Sequence, residues 1–188
     1  MKEAMLNYLK KFFEYYYKTT GLLPKVPFDE DLDTKLYVGE IDEEGYIQWM
    51  YQENPTKIDF EKVKKGPWRK ELWEYVSSYF FLELDGFLDG NLIDLDPIND
   101  VSYLDYDLEQ PGPSEYSEET AQYIDPIDMK AIENFFYIGN YEGIFDIYFD
   151  NDTGNIVTYD FDYHKKTVIA DTFQELFERL TPSREKKE

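Results

Sequence analysis

The amino-acid sequence predicts an α+β protein, and three stretches carry that class. From Glu3 to Thr20 the apolar residues Met5, Leu9, Phe12 and Tyr16 recur at helical spacing, with Leu6, Phe13 and Tyr17 widening the stripe and Gly21 in place as a stop. Residues 135–161 read as strand, strand, turn, strand: Phe135 to Gly139, Ile144 to Phe149, a turn around Asn151 to Asn155, then Ile156 to Phe161. Phe173, Leu176, Phe177 and Leu180 return to helical spacing behind a capping Asp171 or Thr172. At 188 residues the chain has the length of one domain.

The remaining elements follow in chain order. The aromatic stripe with lysines opposite makes the first helix a core-facing helix; the competing reading, a basic aromatic helix lying on a membrane, is weaker. Leu22 to Asp33 holds Pro24 and Pro27 without periodicity and reads as a connection. Leu36-Tyr37-Val38 and Tyr46 to Tyr51 are rich in strand formers, and Asp42-Glu43-Glu44-Gly45 between them has turn chemistry, so they should pair as a hairpin. Behind Gly66-Pro67, apolar residues at 68, 72, 75, 76 and 79 predict a second helix ending near Phe81. Asp85-Gly86 and Asp89-Gly90 are turn signals, with Asn91 to Leu95 a further strand. Gly139 to Gly143 reads as a turn and Thr167 to Ala170 as a short strand. The domain is assigned to residues 1–182, with an acidic insertion at 96–128 and a charged tail at 183–188. Within the insertion Ser117 to Thr120 offers a helix start that Pro126 would interrupt, which leaves a loose helix or local disorder.

Charge narrows the function. With 41 acidic and 19 basic residues the net charge is −22, whereas phosphate neutralisation needs a basic face, so nucleic-acid binding is not expected. Disordered acidic chains are poor in aromatics; here 18 Tyr, 14 Phe and 3 Trp argue for a folded core. Zero cysteines remove disulfides and thiol chemistry and suit a reducing compartment. No signal-peptide pattern and no run of ~18 apolar residues occurs, so no integral membrane segment and a cytoplasmic location are expected.

Catalytic signatures are lacking. The sole histidine, His164, has no nucleophile motif around it and reads as an ordinary hairpin residue. Asp150-Asn151-Asp152-Thr153-Gly154 resembles a calcium loop only superficially: its glycine falls fifth, not sixth, and position 12 is Phe161. Carboxylate pairs are too numerous for any one to mark a glycosidase. No catalytic residue, metal ligand or cofactor is therefore expected. The specific signal is segregation: the 59 residues from Glu71 to Met129 hold 16 acids and no Lys or Arg, against five cations and one acid in residues 60–70. A solvated face that aids solubility is one reading, and an anionic surface that docks a cationic partner is the other.

Phe136 to Gly139, Ile144 to Phe149, Asn151 to Val157 and Val168 to Phe177 together resemble the C-terminal half of the SUKH superfamily. A first helix ending in Leu22-Leu23-Pro24, an acidic turn into Tyr46 to Trp49, and Leu72 to Tyr79 running into Asp89 to Leu95 look like its Syd branch. The resemblance covers most of the chain except residues 96–128. It implies a mixed, mostly antiparallel sheet of about six strands with flanking helices. It also implies one of two binding roles, an immunity protein against a secreted polymorphic toxin or a regulator of the translocon subunit SecY. The favoured expectation is a non-enzymatic immunity protein, monomeric when free, that occludes the basic surface of a toxin domain such as a nuclease or deaminase. Its expected partner-binding residues are Asp85, Asp89, Asp94, Asp96, Tyr103, Asp105, Tyr106 and Asp107.

Overall fold

A computed structural model describes residues 1–30, 34–54, 69–96 and 126–183. Most of the acidic insertion, with Tyr103, Asp105, Tyr106 and Asp107, lies outside the described residues, as do Pro67, Trp68 and most of the charged tail. Helix α1 (Lys2–Thr20) buries Met5, Tyr8, Leu9, Phe12 and Phe13, the expected stripe, and ends where Gly21 adopts φ 74° and donates its N–H to the Tyr17 carbonyl. Strands β1 (Lys25–Pro27), β2 (Tyr37–Val38) and β3 (Tyr46–Trp49) form a three-stranded antiparallel sheet in the order β1-β3-β2. The β2–β3 hairpin is the expected one, and its turn is held by Asp42, whose Oδ1 accepts from the Glu44 and Tyr46 amides at 3.0 and 2.9 Å. β1 corrects the reading of Leu22 to Asp33 as a plain connection. An edge strand tolerates Pro27, which has no N–H to give a ladder.

Strand β4 (Gln52–Glu53) pairs with β5 (Tyr79–Phe80), the direct continuation of helix α2 (Lys70–Ser78). Then comes the main sheet. Strands β6 (Leu84–Leu88), β7 (Asn91–Leu95), β8 (Phe135–Tyr141), β9 (Phe145–Asp150), β10 (Ile156–Asp160) and β11 (Lys165–Ala170) lie side by side in sequence order. Every pairing is antiparallel, so the sheet is a six-stranded meander rather than a mixed one. Four of the five connections are too short for a parallel crossover; the fifth, from β7 to β8, is long and still returns antiparallel. Helix α3 (Pro126–Ile132) stands between β7 and β8, and helix α4 (Phe173–Arg179) closes the described chain. Pro126 is the first residue of α3, where its missing N–H costs nothing, and the helix start expected at Ser117 to Thr120 lies outside the described residues. Thr172 caps α4 as expected, accepting from the Glu175 amide at 3.1 Å.

Two further corrections concern glycines. Asp85-Gly86 is not a turn but the middle of β6. A Cβ at Gly86 would overlap the hydroxyl oxygen of Tyr8, which donates to the Asp85 carbonyl at 2.5 Å, so glycine admits α1 to the strand. Gly139 likewise lies inside β8, and the bend falls at Glu142 and Gly143, with φ 57° and 66°. Asp89-Gly90 is the turn its sequence announces, with φ 53° and 85°, the two positive values that a two-residue hairpin requires.

Each strand of the meander sends alternate residues to opposite faces. One face joins α1, α2 and α4 in the main core, through Ile93, Leu95, Phe136, Ile138, Ile147, Phe149 and Ile156. On the other face, beneath α3, lie Phe135, Tyr148, Val157 and Tyr159. Asp128 of α3 locks this side: its Oδ1 accepts from the Tyr159 hydroxyl at 2.6 Å and sits 2.8 Å from His164 Nδ1. His164, at φ 50°, is thus the hairpin residue expected, with a buried carboxylate against it.

Candidate functional site: a carboxylate row across the sheet

The second face of the meander changes character toward β6 and β7. The two-residue turn at Asp89-Gly90 places Asp85 opposite Asp94, the next pairing places Asp94 opposite Asn140, and the next places Asn140 opposite Asp146. Directly opposed residues share a face at roughly 5 Å between Cβ atoms, so three carboxylates and one amide form a row across four strands. Asp96, two residues beyond Asp94, extends the acid along β7, with Tyr137 hydrogen-bonded to it. Tyr148 donates to Asp146 Oδ2 at 2.8 Å.

At the β6 end the row opens into a groove of about 470 Å³. Glu83, Asp85, Asp94 and Leu92 form one side, with Phe12 and Tyr16 of α1 and Pro24, Lys25, Pro27, Tyr46 and Trp49 of the three-stranded sheet facing them. Lys25 is already paired with Asp42 at 2.7 Å. Among the described residues none of Glu83, Asp85, Asp94, Asp96 and Asp146 forms an ion pair, and no three His, Asp or Glu side chains converge as a metal cage.

Crowding of like charges shows in the ionisation. Burial first, and then the neighbouring acid, hold Glu83 (beside Asp85 and Asp94), Asp94 (beside Asp96) and Asp96 (beside Asp146) above the ordinary carboxylate range. Asp85 is raised by burial and by Asp94, with the nearby Tyr16 hydroxyl acting against the shift. Tyr16 is itself pushed up to about 12, by burial and then by Asp85 and Glu83. Elsewhere carboxylates are lowered although burial opposes the shift: Asp150 is held by Lys166 at 2.9 Å and Asp128 by Tyr159 and His164. The acids of the row have tyrosine hydroxyls beside them but, among the described residues, no cation.

This difference carries a stability prediction. A carboxylate raised in the folded state holds more protons folded than unfolded between its ordinary pKa and the raised one, so stability falls as pH rises through that window. Asp94→Asn is therefore expected to stabilise the protein at pH 7 by about 1 kcal/mol, because the amide carries no charge to be desolvated by burial or repelled by Asp96 under water-like screening. The gain should vanish near pH 3.5. Urea unfolding at both pH values checks it, and an equal gain at each would remove the Asp94 charge as the cause.

Of the expected binding residues, the structure brings Asp85, Asp94 and Asp96 together. Asp89 stands apart at the hairpin tip, where it pairs with Arg179 of α4. Glu83, Asn140, Asp146 and the groove aromatics Tyr16, Tyr46 and Trp49 were not among the expected residues, although the alternation Asp94, Asp96 against Ile93, Leu95 already puts acids on one side of a strand. No family model matches the chain, and no curated protein matches its sequence.

Proposed function

We propose that this protein is a cytoplasmic, non-enzymatic binding protein whose acidic sheet face captures a basic protein surface, and that its role is immunity against the toxin domain bearing that surface. The observation that carries the reading is the row Asp85-Asp94-Asn140-Asp146, with Glu83 and Asp96 beside it: carboxylates gathered at a cost in stability with no ion pair among the described residues. Surface acids scattered for solubility do not need to share one row. A nuclease or a nucleic-acid deaminase must be basic where it meets phosphate, so an anionic face of this kind can occupy that surface, and opposite charge speeds the encounter.

The test is protection. Cells expressing the toxin domain encoded beside this protein's gene should grow when the protein is co-expressed and die when it carries Asp85→Lys and Asp94→Lys, with the variant's melting curve showing an intact fold. Protection that survives both reversals would remove this face as the binding site. Recovery of SecY from native cells, with no toxin bound, would instead support the translocon regulator.

A further inference from the structure

Asp128 and Asp150 are the two buried acids among the described residues, 3 % and 1 % exposed. A carboxylate is kept in such a place only when it is paired and hydrogen-bonded. Both are paired from the last hairpin of the meander, by cations of different kinds. Asp150 of β9 takes Lys166 of β11 at 2.9 Å. Asp128 of α3 sits 2.8 Å from His164 Nδ1, with the Tyr159 hydroxyl on the same oxygen at 2.6 Å, and among the described residues it has no other ion-pair partner. Lysine ammonium groups keep their charge through the neutral range, whereas imidazole changes charge within it. One buried acid is thus held by a permanent cation and the other by one that comes and goes with pH.

We propose that the His164–Asp128 pair is a pH-dependent latch, which fastens α3 to the β10–β11 hairpin in weak acid and loosens it above neutrality. The sign follows from where the proton is held more tightly. A carboxylate 2.8 Å away favours imidazolium in the folded chain, so the stability it brings is complete below the ordinary histidine range and is lost as pH rises through the range of the folded protein. Neutral imidazole can still donate from Nδ1, so a hydrogen bond outlasts the charge pairing. Burial pushes the Asp128 carboxyl up, but Tyr159 and His164 hold it below the usual carboxylate range, so only stronger acid opens the latch from the other side. The other charged groups on the elements that meet there are Lys130 of α3, Asp150, Asp160, Lys165 and Lys166 of the strands, and Asp162 of the hairpin. Lys166 is engaged by Asp150, and Asp160 Oδ1 accepts from the Asp162 and Tyr163 amides. The effect falls on α3, a helix of 7 residues that runs into β8 and is too short to persist on its own backbone bonds.

His164 is the sole histidine of the chain, so its ring protons report the titration by NMR without ambiguity. In the full chain, Asp128→Asn should lower the proton affinity of that ring about tenfold. Hydrogen exchange of the α3 amides, corrected for the intrinsic rate, supplies the second readout. Protection should fall about threefold or more from pH 6 to pH 8 in the native chain. The fall should be absent in His164→Asn, which brings no titrating group and accepts the φ of 50° at this position. A ring titration unchanged by Asp128→Asn would overturn the latch. So would an equal fall of protection in His164→Asn, which would place the pH dependence in the raised acids of the carboxylate row, intact in that variant. If Asp128→Asn does not fold, the exchange comparison decides alone, because His164→Asn leaves both buried acids and the sheet unaltered.

Discussion

Gly139→Ala is expected to destabilise the protein by roughly 3 kcal/mol or more and to pull the carboxylate row apart. Gly139 lies at φ 153° where β8 bulges in its pairing with β9 and sits opposite Leu95 of β7, and its added Cβ would fall inside the carbonyl oxygen of Asp94 and 2.9 Å from the Leu95 Cα. The obstructing atoms are backbone, so no rotamer change relieves the clash; β7 itself must move away. Since Asp94 is the residue pushed, binding of a basic partner should fall further than the lost stability alone accounts for. Urea unfolding together with binding measured where both proteins remain folded separates the two effects. An alanine variant of native stability would show that the approach of β7 to β8 is looser than described.

Phe173→Ala is expected to cost about 4 kcal/mol. The ring is 2 % exposed and lies between two others, stacked on Tyr75 of α2 at 4.3 Å and 8° and on Phe149 of β9 at 5.1 Å and 10°. Truncating a buried phenylalanine loses ~3–5 kcal/mol through transfer and cavity, and the two ring contacts place this site in the upper part of that range. Phe173→Leu, which keeps most of the volume, should lose about half as much. Thermal and denaturant unfolding of both variants checks the ranking. A leucine variant as damaged as the alanine one would mean that ring geometry rather than filled volume holds α2, α4 and the sheet together.

Much of the frame was legible because local chemistry and tertiary demand agree. The α1 stripe, the Asp42 turn, the Asn151–Asn155 turn closed by Gly154 at φ 85° and the Thr172 cap are local decisions that packing leaves intact. Legibility failed where a distant element overrules a local signal. Asp85-Gly86 has turn chemistry, but a tyrosine from α1 needs the missing side chain; Gly139 looks like a turn, but β7 presses against it. The site divides in the same way. Pairing Asp85 with Asp94 follows from counting back from a two-residue turn at Asp89-Gly90, whereas setting Asp94 against Asn140 depends on how β8 returns after the insertion and α3, which spacing cannot fix. The groove was less accessible still, since Trp49 and Tyr46 come from a separate sheet.

The packing of α1 against α4, with Tyr8 and Phe177 rings 6.2 Å apart, sets an order of events during synthesis. α1 is translated about 150 residues ahead of the helix that covers it, which at ~5–20 residues per second is a wait of roughly 8 to 30 s. Through that interval Tyr8 lacks its Phe177 neighbour, although Phe13 meets Trp49 and Tyr51 far earlier in the chain, and the meander, whose strands pair with neighbours as they emerge, has one face partly uncovered. The part of α1 that meets α4 is therefore the part open to chaperones longest, and the emergence of α4 from the ribosome is the step that closes it.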